Sequence, residues 1–270
     1  MPTSVRAVPN DPILQAEGVT VIRGNRAIVD SVDLSVRPGE RWVILGPNGC
    51  GKTTLLCVLS LYLHPSRGSI SVLGSALGTF DIRSVRPRIA YVSASLATDL
   101  RPALTAEEVV MTAKNGALET WWHDYTADDR ARAVACLERM GVAAHASRPL
   151  GSLSSGEQQR VLLARSLMNE PIAVLMDEPS ARLDLGGREQ LVRVLDAFAD
   201  DNPVLPSVIV THHVDEIPLT TTHALLMRDG RALTSGPADS VLAAPALSEC
   251  FGVELVVERR ANGRLTAWAR

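Results

Sequence analysis

Gly46-Pro-Asn-Gly-Cys-Gly-Lys-Thr53 spaces its glycines, a lysine and a hydroxyl as G-x-x-x-x-G-K-[ST], and Thr54 extends the run. That pattern is phosphate chemistry. Glycines let the backbone through Gly46, Pro47, Asn48, Gly49, Cys50 and Gly51 curl until successive N–H groups face one anion. Lys52 reaches the β- and γ-phosphates as a point charge, and the Thr53 hydroxyl is a ligand for Mg²⁺. A helix opening at Gly51 adds its positive end. Alone, the loop means a nucleotide binder and does not choose among kinases, small GTPases and ATPases.

The complementary acid lies in Ile172-Ala-Val-Leu-Met-Asp-Glu-Pro179. Asp177 ends a short apolar run, which reads as a buried strand, and ligands of parallel sheets bind at that end. It can hold Mg²⁺ through water or through Thr53. Glu178 is then the group to orient and polarise an attacking water. The segment also reads as a strand ending in an exposed turn; the phosphate loop favours the catalytic reading. A third stretch, Leu153-Ser-Ser-Gly-Glu-Gln-Gln-Arg160, has Ser154 and Glu157 at capping-box spacing and Gly156 where a ligand could approach the backbone. It is either a capped helix or a helix start that receives an anion.

These residues need a scaffold. Segments 13–22 and 27–36 are rich in Val and Ile with Arg23-Gly-Asn25 between them, a hairpin pattern. Further short strands are expected at 41–45, 68–74, 88–92, 172–177 and 207–213. Helical spacing runs through Thr53–Leu63, near 105–115 and 126–140 (ending at Gly141), from Ser154 to Asn169, and near 187–200. Strand–helix alternation interrupted by helices predicts an α/β fold. Residues 1–11 read as a mobile arm, 12–250 as the nucleotide-binding domain with a helical insert at about 94–165, and 251–270 as a hairpin extension around Asn262-Gly263.

The 270 residues can bury a sizeable core, and a net charge of −3 gives no global argument for nucleic acid or an anionic membrane. No segment approaches the roughly 20 apolar residues that span a bilayer, and the N-terminus lacks a signal core. The four cysteines, Cys50, Cys57, Cys136 and Cys250, have neither paired nor metal-type spacing and read as reduced thiols. Thr120-Trp-Trp-His-Asp-Tyr125 puts adjacent tryptophans in the insert, which cannot both face one core. One packs inward, or the pair marks a partner surface.

In this order, GPNGCGKTT, LSSGEQQR, VLMDEP, SARLD and VTHH resemble the nucleotide-binding subunit of ABC ATPases, from about residue 12 to the C-terminus. The resemblance implies a P-loop NTPase core with an antiparallel β subdomain and an inserted α-helical signature subdomain. It implies an ATPase with ATP and Mg²⁺ as cofactors, acting as a homodimer. LSSGEQQR resembles the family signature, so Ser154, Gly156 and Glu157 would join the nucleotide-binding residues, with Ser154 and the Gly156 backbone contacting the γ-phosphate held by a second copy. Ser180-Ala-Arg-Leu-Asp184 resembles the D-loop, which communicates across the dimer, and Asp184 also suits a helix cap. His212 matches the switch histidine that joins Lys52 and Glu178 at the reacting phosphate; His213 is given no role.

Two positions depart from the family pattern. Arg23 stands where an aromatic ring covers adenine, and a guanidinium can stack on a base. Ala94, flanked by Ser93 and Ser95, stands where a glutamine contacts metal and water, leaving Ser95 as the candidate to hold water near Mg²⁺. The tail from His223 resembles ATPases of iron-complex, siderophore and cobalamin-type importers. The resemblance therefore implies an ATPase that powers an ABC membrane transporter of the importing kind, cytoplasmic and peripheral on the inner face of the cell membrane. Its implied partners are transmembrane permease subunits and, for an importer, a substrate-binding protein, with no nucleic acid. A soluble ABC ATPase or nucleotide-dependent switch on a cytosolic partner is the alternative.

Overall fold

The computed structural model describes residues 11–93, 99–121 and 123–270. Val, Ile and Thr, which fit a pleated half-buried surface, recur along Leu14–Arg23 (β1) and Arg26–Val36 (β2). The two pair antiparallel from Leu14↔Val36 to Arg23↔Arg26, with Gly24-Asn25 as the loop. Arg67–Val72 (β4) and Ser75–Ala76 (β5) complete a four-stranded antiparallel sheet of order β2-β1-β4-β5.

The second sheet has six strands. Arg41–Leu45 (β3), Ile89–Ser93 (β6), Ala173–Asp177 (β7), Ser207–Thr211 (β8), His223–Arg228 (β9) and Arg231–Pro237 (β10) lie in the order β10-β9-β3-β8-β7-β6. All neighbours are parallel except β9 and β10, which are joined at Asp229-Gly230; both have positive φ, as a tight hairpin turn requires. Parallel strands are covered on both faces, and the core follows the period of two. Trp42, Ile44, Leu175, Val208 and Val210 face β1, β2 and the helix Lys52–Leu59 (α1). Val174, Met176 and Ile209 face the helical insert.

After the short helix Ile82–Val85 (α2), the insert carries Ala106–Thr112 (α3), Ala127–Arg139 (α4) and Ser155–Leu167 (α5). Each of the three begins with a capping box, Thr105/Glu108, Thr126/Asp129 and Ser154/Glu157. Each cap contributes about 1 kcal/mol to its helix. Leu185–Asp201 (α6) links β7 to β8, and Ala238–Val241 (α7) and Ala244–Phe251 (α8) cover the β9 side. Leu255–Arg259 (β11) and Leu265–Ala269 (β12) form the terminal hairpin. Among the described residues no helix is long and apolar enough to cross a membrane, and all four cysteines are free thiols.

One expectation is corrected: helical spacing continues through Leu63, but α1 ends at Leu59. Leu61 takes φ of 61°, its N–H bonds the Val58 carbonyl, and the Tyr62 N–H turns back to that of Cys57. This is a helix-ending motif whose left-handed position usually falls to glycine. Leu61 fills it because its side chain is buried, so apolar periodicity carries no trace of the break. Trp121 is 60% exposed with the Arg101 guanidinium 4.0 Å from its ring centre, so it faces outward; Trp122 lies outside the described residues.

Candidate functional site

Parallel register sets the site. Leu45 pairs with Thr211, Val210 with Asp177, and Asp177 with Ser93, so the carboxyl ends of β3, β8, β7 and β6 lie side by side. From β3 the chain runs into the glycine-rich loop and α1. A Cβ on Gly46 would sit 2.1 Å from the Met227 carbonyl oxygen, and one on Gly51 would sit 2.4 Å from that of Ile28. Only glycine lets the loop pass this close to its neighbours. The loop walls a cavity of about 160 Å³ lined by Ile28, Asn48, Gly49, Gly51, Lys52, Thr53, Thr54 and Glu178. This is smaller than the roughly 300–1,000 Å³ of a pocket that encloses a whole small molecule. It suits the phosphate end of a nucleotide and leaves the rest outside.

Lys52 is 5% exposed, and its ammonium donates to the carbonyls of Gly46 at 2.8 Å and Pro47 at 3.0 Å. An ammonium has three donors, and the two bonds hold it inside its own loop. The Thr53 hydroxyl donates to Asp177 Oδ1 at 2.9 Å, bringing together the two expected metal-binding side chains. Tyr91 on β6, which sequence reasoning missed, donates to Asp177 Oδ2 at 3.4 Å. It gave no signal in the sequence, because the pairing of β6 with β7 that brings it there is visible only in the sheet order. Among the described residues no cluster of three or more His, Cys, Asp or Glu could form a cage for a metal. One hydroxyl and one carboxylate instead make a partial set of hard oxygen donors, which suits Mg²⁺ because that ion keeps waters and takes phosphate oxygens.

Burial pushes the Asp177 carboxyl above its ordinary range, against the Thr53 hydrogen bond that favours its ionised form. The folded value exceeds the unfolded one, so the ionised carboxylate lowers stability once pH passes the folded value, and the cost vanishes below the unfolded one. Asp177→Asn should therefore melt at or above the wild type at pH 7 without Mg²⁺, with the gap closing on acidification. Thermal unfolding across pH checks this; a variant that melts lower throughout would contradict it.

Glu178 follows Asp177 with φ of 46°, an uncommon conformation for a non-glycine residue and costly enough to need support from its surroundings. The Glu178 N–H donates to the Val210 carbonyl at 2.9 Å, and its Oε1 lies 2.9 Å from His212 Nδ1. With the carboxylate as acceptor, the ring donates. Two side chains expected at the reacting phosphate thus meet at the rim of the cavity. The His213 ring stacks obliquely on that of His212 at 4.0 Å.

The remaining candidates lie apart. Ser154 caps α5: its hydroxyl donates to Glu157 Oε2 at 2.8 Å, its N–H at 2.7 Å, and the Glu157 N–H donates back to the hydroxyl at 3.3 Å. Those bonds to the Ser154 N–H and hydroxyl hold the Glu157 carboxyl below the ordinary range. His145 Nε2 lies 3.0 Å from Glu157 Oε1, a contact invisible in the motif itself. Ser154, Gly156 and Glu157 are absent from the lining of the phosphate cavity. Arg23 is exposed at the end of β1 and also outside that lining, where Ile28 stands. Ala94 and Ser95 lie outside the described residues.

Residues 29–181 match the family model described as ABC transporter. The chain is 34% identical over 249 residues to YlmA of Bacillus subtilis, an uncharacterised ABC transporter ATP-binding protein, covering 91% of this chain and 93% of that one. It is 32% identical over 252 residues to the hemin import ATP-binding protein HmuV of Rhodococcus jostii, with 93% and 84% covered. Among solved structures, the dimeric form of MJ0796, a bacterial ABC transporter cassette, superposes with a TM-score of 0.70 at 25% identity, covering 83% of this chain and 98% of that one.

Proposed function

This chain belongs to the ABC transporter family as its ATP-hydrolysing component, and we propose that it powers import of a metal chelate or metal ion by closing over ATP as a dimer. The contact between Glu178 and His212 on the rim of the phosphate cavity carries the mechanism. The loop N–H groups and Lys52 bind the β- and γ-phosphates of ATP. Thr53 and Asp177 would hold Mg²⁺, which would supply charge neutralisation for the phosphates. Glu178 accepts a proton as water attacks the γ-phosphorus and the bond to the β-phosphate oxygen breaks, giving ADP and phosphate. His212 orients Glu178 and reaches the γ-phosphate.

A cavity that takes only the phosphates, and a signature segment outside it, support a site completed by a second copy. There the exposed, capped start of α5 meets the γ-phosphate held by its neighbour, with Ser154 and the Gly156 backbone as the contacts and Glu157 holding the cap that presents them. Arg23 stacks on adenine beyond the cavity rim. Arg23→Ala should weaken ATP severalfold and leave inorganic tripolyphosphate unchanged, as measured by titration calorimetry; equal losses for both would remove the stacking role.

A larger cavity of about 670 Å³ lies between the insert and the six-stranded sheet, with Tyr62, Arg86, Tyr91, Lys114, Leu118 and Arg165 among its lining. It is the docking site for a cytoplasmic segment of the permease, which holds the protein at the inner face of the membrane. The kinship with HmuV, named for hemin import, supports the cargo class. The test is affinity capture from native membranes with a Glu178→Gln bait and ATP. An integral membrane protein should co-purify, together with a substrate-binding protein encountered by that permease. Retention of cytosolic proteins alone would defeat the transporter assignment.

A further inference from the structure

Glu216 is 7% exposed, and the chemistry above leaves it unused. It lies in the turn Val214–Glu216 that follows the histidine pair. Its Oε2 accepts the Thr211 hydroxyl at 2.8 Å, and the same hydroxyl oxygen accepts the His213 N–H at 3.1 Å. Thr211 directly precedes His212, so Glu216 braces the base of the switch histidine from both sides. Oε1 faces Arg188 NH1 at 3.4 Å but receives no hydrogen bond. Arg188 belongs to the first turns of α6, and its Nε donates to the Leu183 carbonyl at 3.1 Å. Leu183 lies in the SARLD segment that begins just after Glu178-Pro179.

The turn is also gripped from the other side. Arg264, on the terminal hairpin, donates to the Asp215 carbonyl and pairs with Glu189, the neighbour of Arg188. A buried carboxylate with an unfilled oxygen is costly unless a compensating cation stands beside it. The Arg188–Glu216 pair is therefore aligned closely enough to attract and too loosely to hydrogen-bond. A small displacement of Leu183 moves Arg188, completes or breaks that pair, and alters the hold of Glu216 on Thr211.

We propose that Arg188 and Glu216 are positioning residues that couple the SARLD segment to the switch histidine, so that contact of this segment with a second copy sets His212 against Glu178. The proposal rests on the reading that Glu178 and His212 serve hydrolysis across a dimer. Neither residue lines the phosphate cavity, so their effect is confined to turnover.

Steady-state ATP hydrolysis by the full chain tests it. Arg188→Met and Glu216→Gln should each lower kcat about tenfold and leave KM for ATP within about twofold, because the phosphate loop is untouched. Glu216→Gln keeps an acceptor for Thr211 and so isolates the charged pair. Arg188→Lys, which retains the charge, should recover about threefold of the loss, and the double variant should be no slower than the worse single one. The proposal is overturned if either single variant keeps wild-type kcat, if KM rises as much as kcat falls, or if the two losses multiply. Failure of the hydrolysis reading looks different: Glu178→Gln would then turn over ATP like the wild type.

Discussion

Glu178→Gln should bind ATP as tightly as the wild type and hydrolyse it about 10²–10⁴-fold more slowly, the usual span for removal of a general base. The amide keeps the size and the acceptor oxygen that faces His212 at 2.9 Å, so the histidine keeps its place. What is lost is the capacity to take a proton from water. Glu178 is 30% exposed by side chain and shares no hydrogen bond with Lys52 or Thr53, which separates turnover from affinity. Single-turnover hydrolysis beside equilibrium binding measures both. A loss of affinity as large as the loss of rate would mean that Glu178 builds the binding site rather than acting on water.

Lys52→Ala should produce the opposite pattern, with ATP affinity falling about 100-fold or more; removing one partner of a buried charged contact costs roughly 2–5 kcal/mol. In the structure the ammonium is almost wholly enclosed and held by two loop carbonyls. A bound triphosphate would meet a charge whose solvation has already been surrendered, which strengthens the attraction. Removing the side chain also frees the Gly46 and Pro47 carbonyls, so some loss of thermal stability accompanies it. Titration calorimetry with ATP reads the affinity, and the same titration with ADP separates the phosphates. Retention of affinity within a few fold would exclude Lys52 as the main phosphate contact.

Residues adjacent in sequence were the easiest to read. The loop from Gly46 to Thr54, the pair Asp177-Glu178 and the cap Ser154/Glu157 each declare themselves by short spacing, because turns, strand ends and helix starts are local events. The central strands of the second sheet follow from their short apolar runs, but their order does not. That order brings Tyr91 against Asp177 and Thr211 beside Leu45. Tyr91, Arg188 and Glu216 were therefore silent: each matters through a partner chosen by strand register or by the turn after β8. Leu61 was silent for another reason, since a buried leucine in a left-handed position looks like one more turn of helix. Arg23 lies at the exposed end of β1, outside the lining of the phosphate cavity.

The central claim is that a second copy completes the ATP site, and the mass of Glu178→Gln in solution tests it most directly. Light scattering should show the 29.0 kDa chain doubling in mass when ATP and Mg²⁺ are added. Gly156→Asp in the same background should bind ATP and stay at the mass of one chain. A Cβ at Gly156 meets nothing closer than the Gly187 Cα at 3.9 Å, so the change adds a carboxylate to the face offered to the γ-phosphate without disturbing the fold. An ATP-loaded Glu178→Gln chain that remains single, or a Gly156→Asp variant that doubles equally well, would contradict the account.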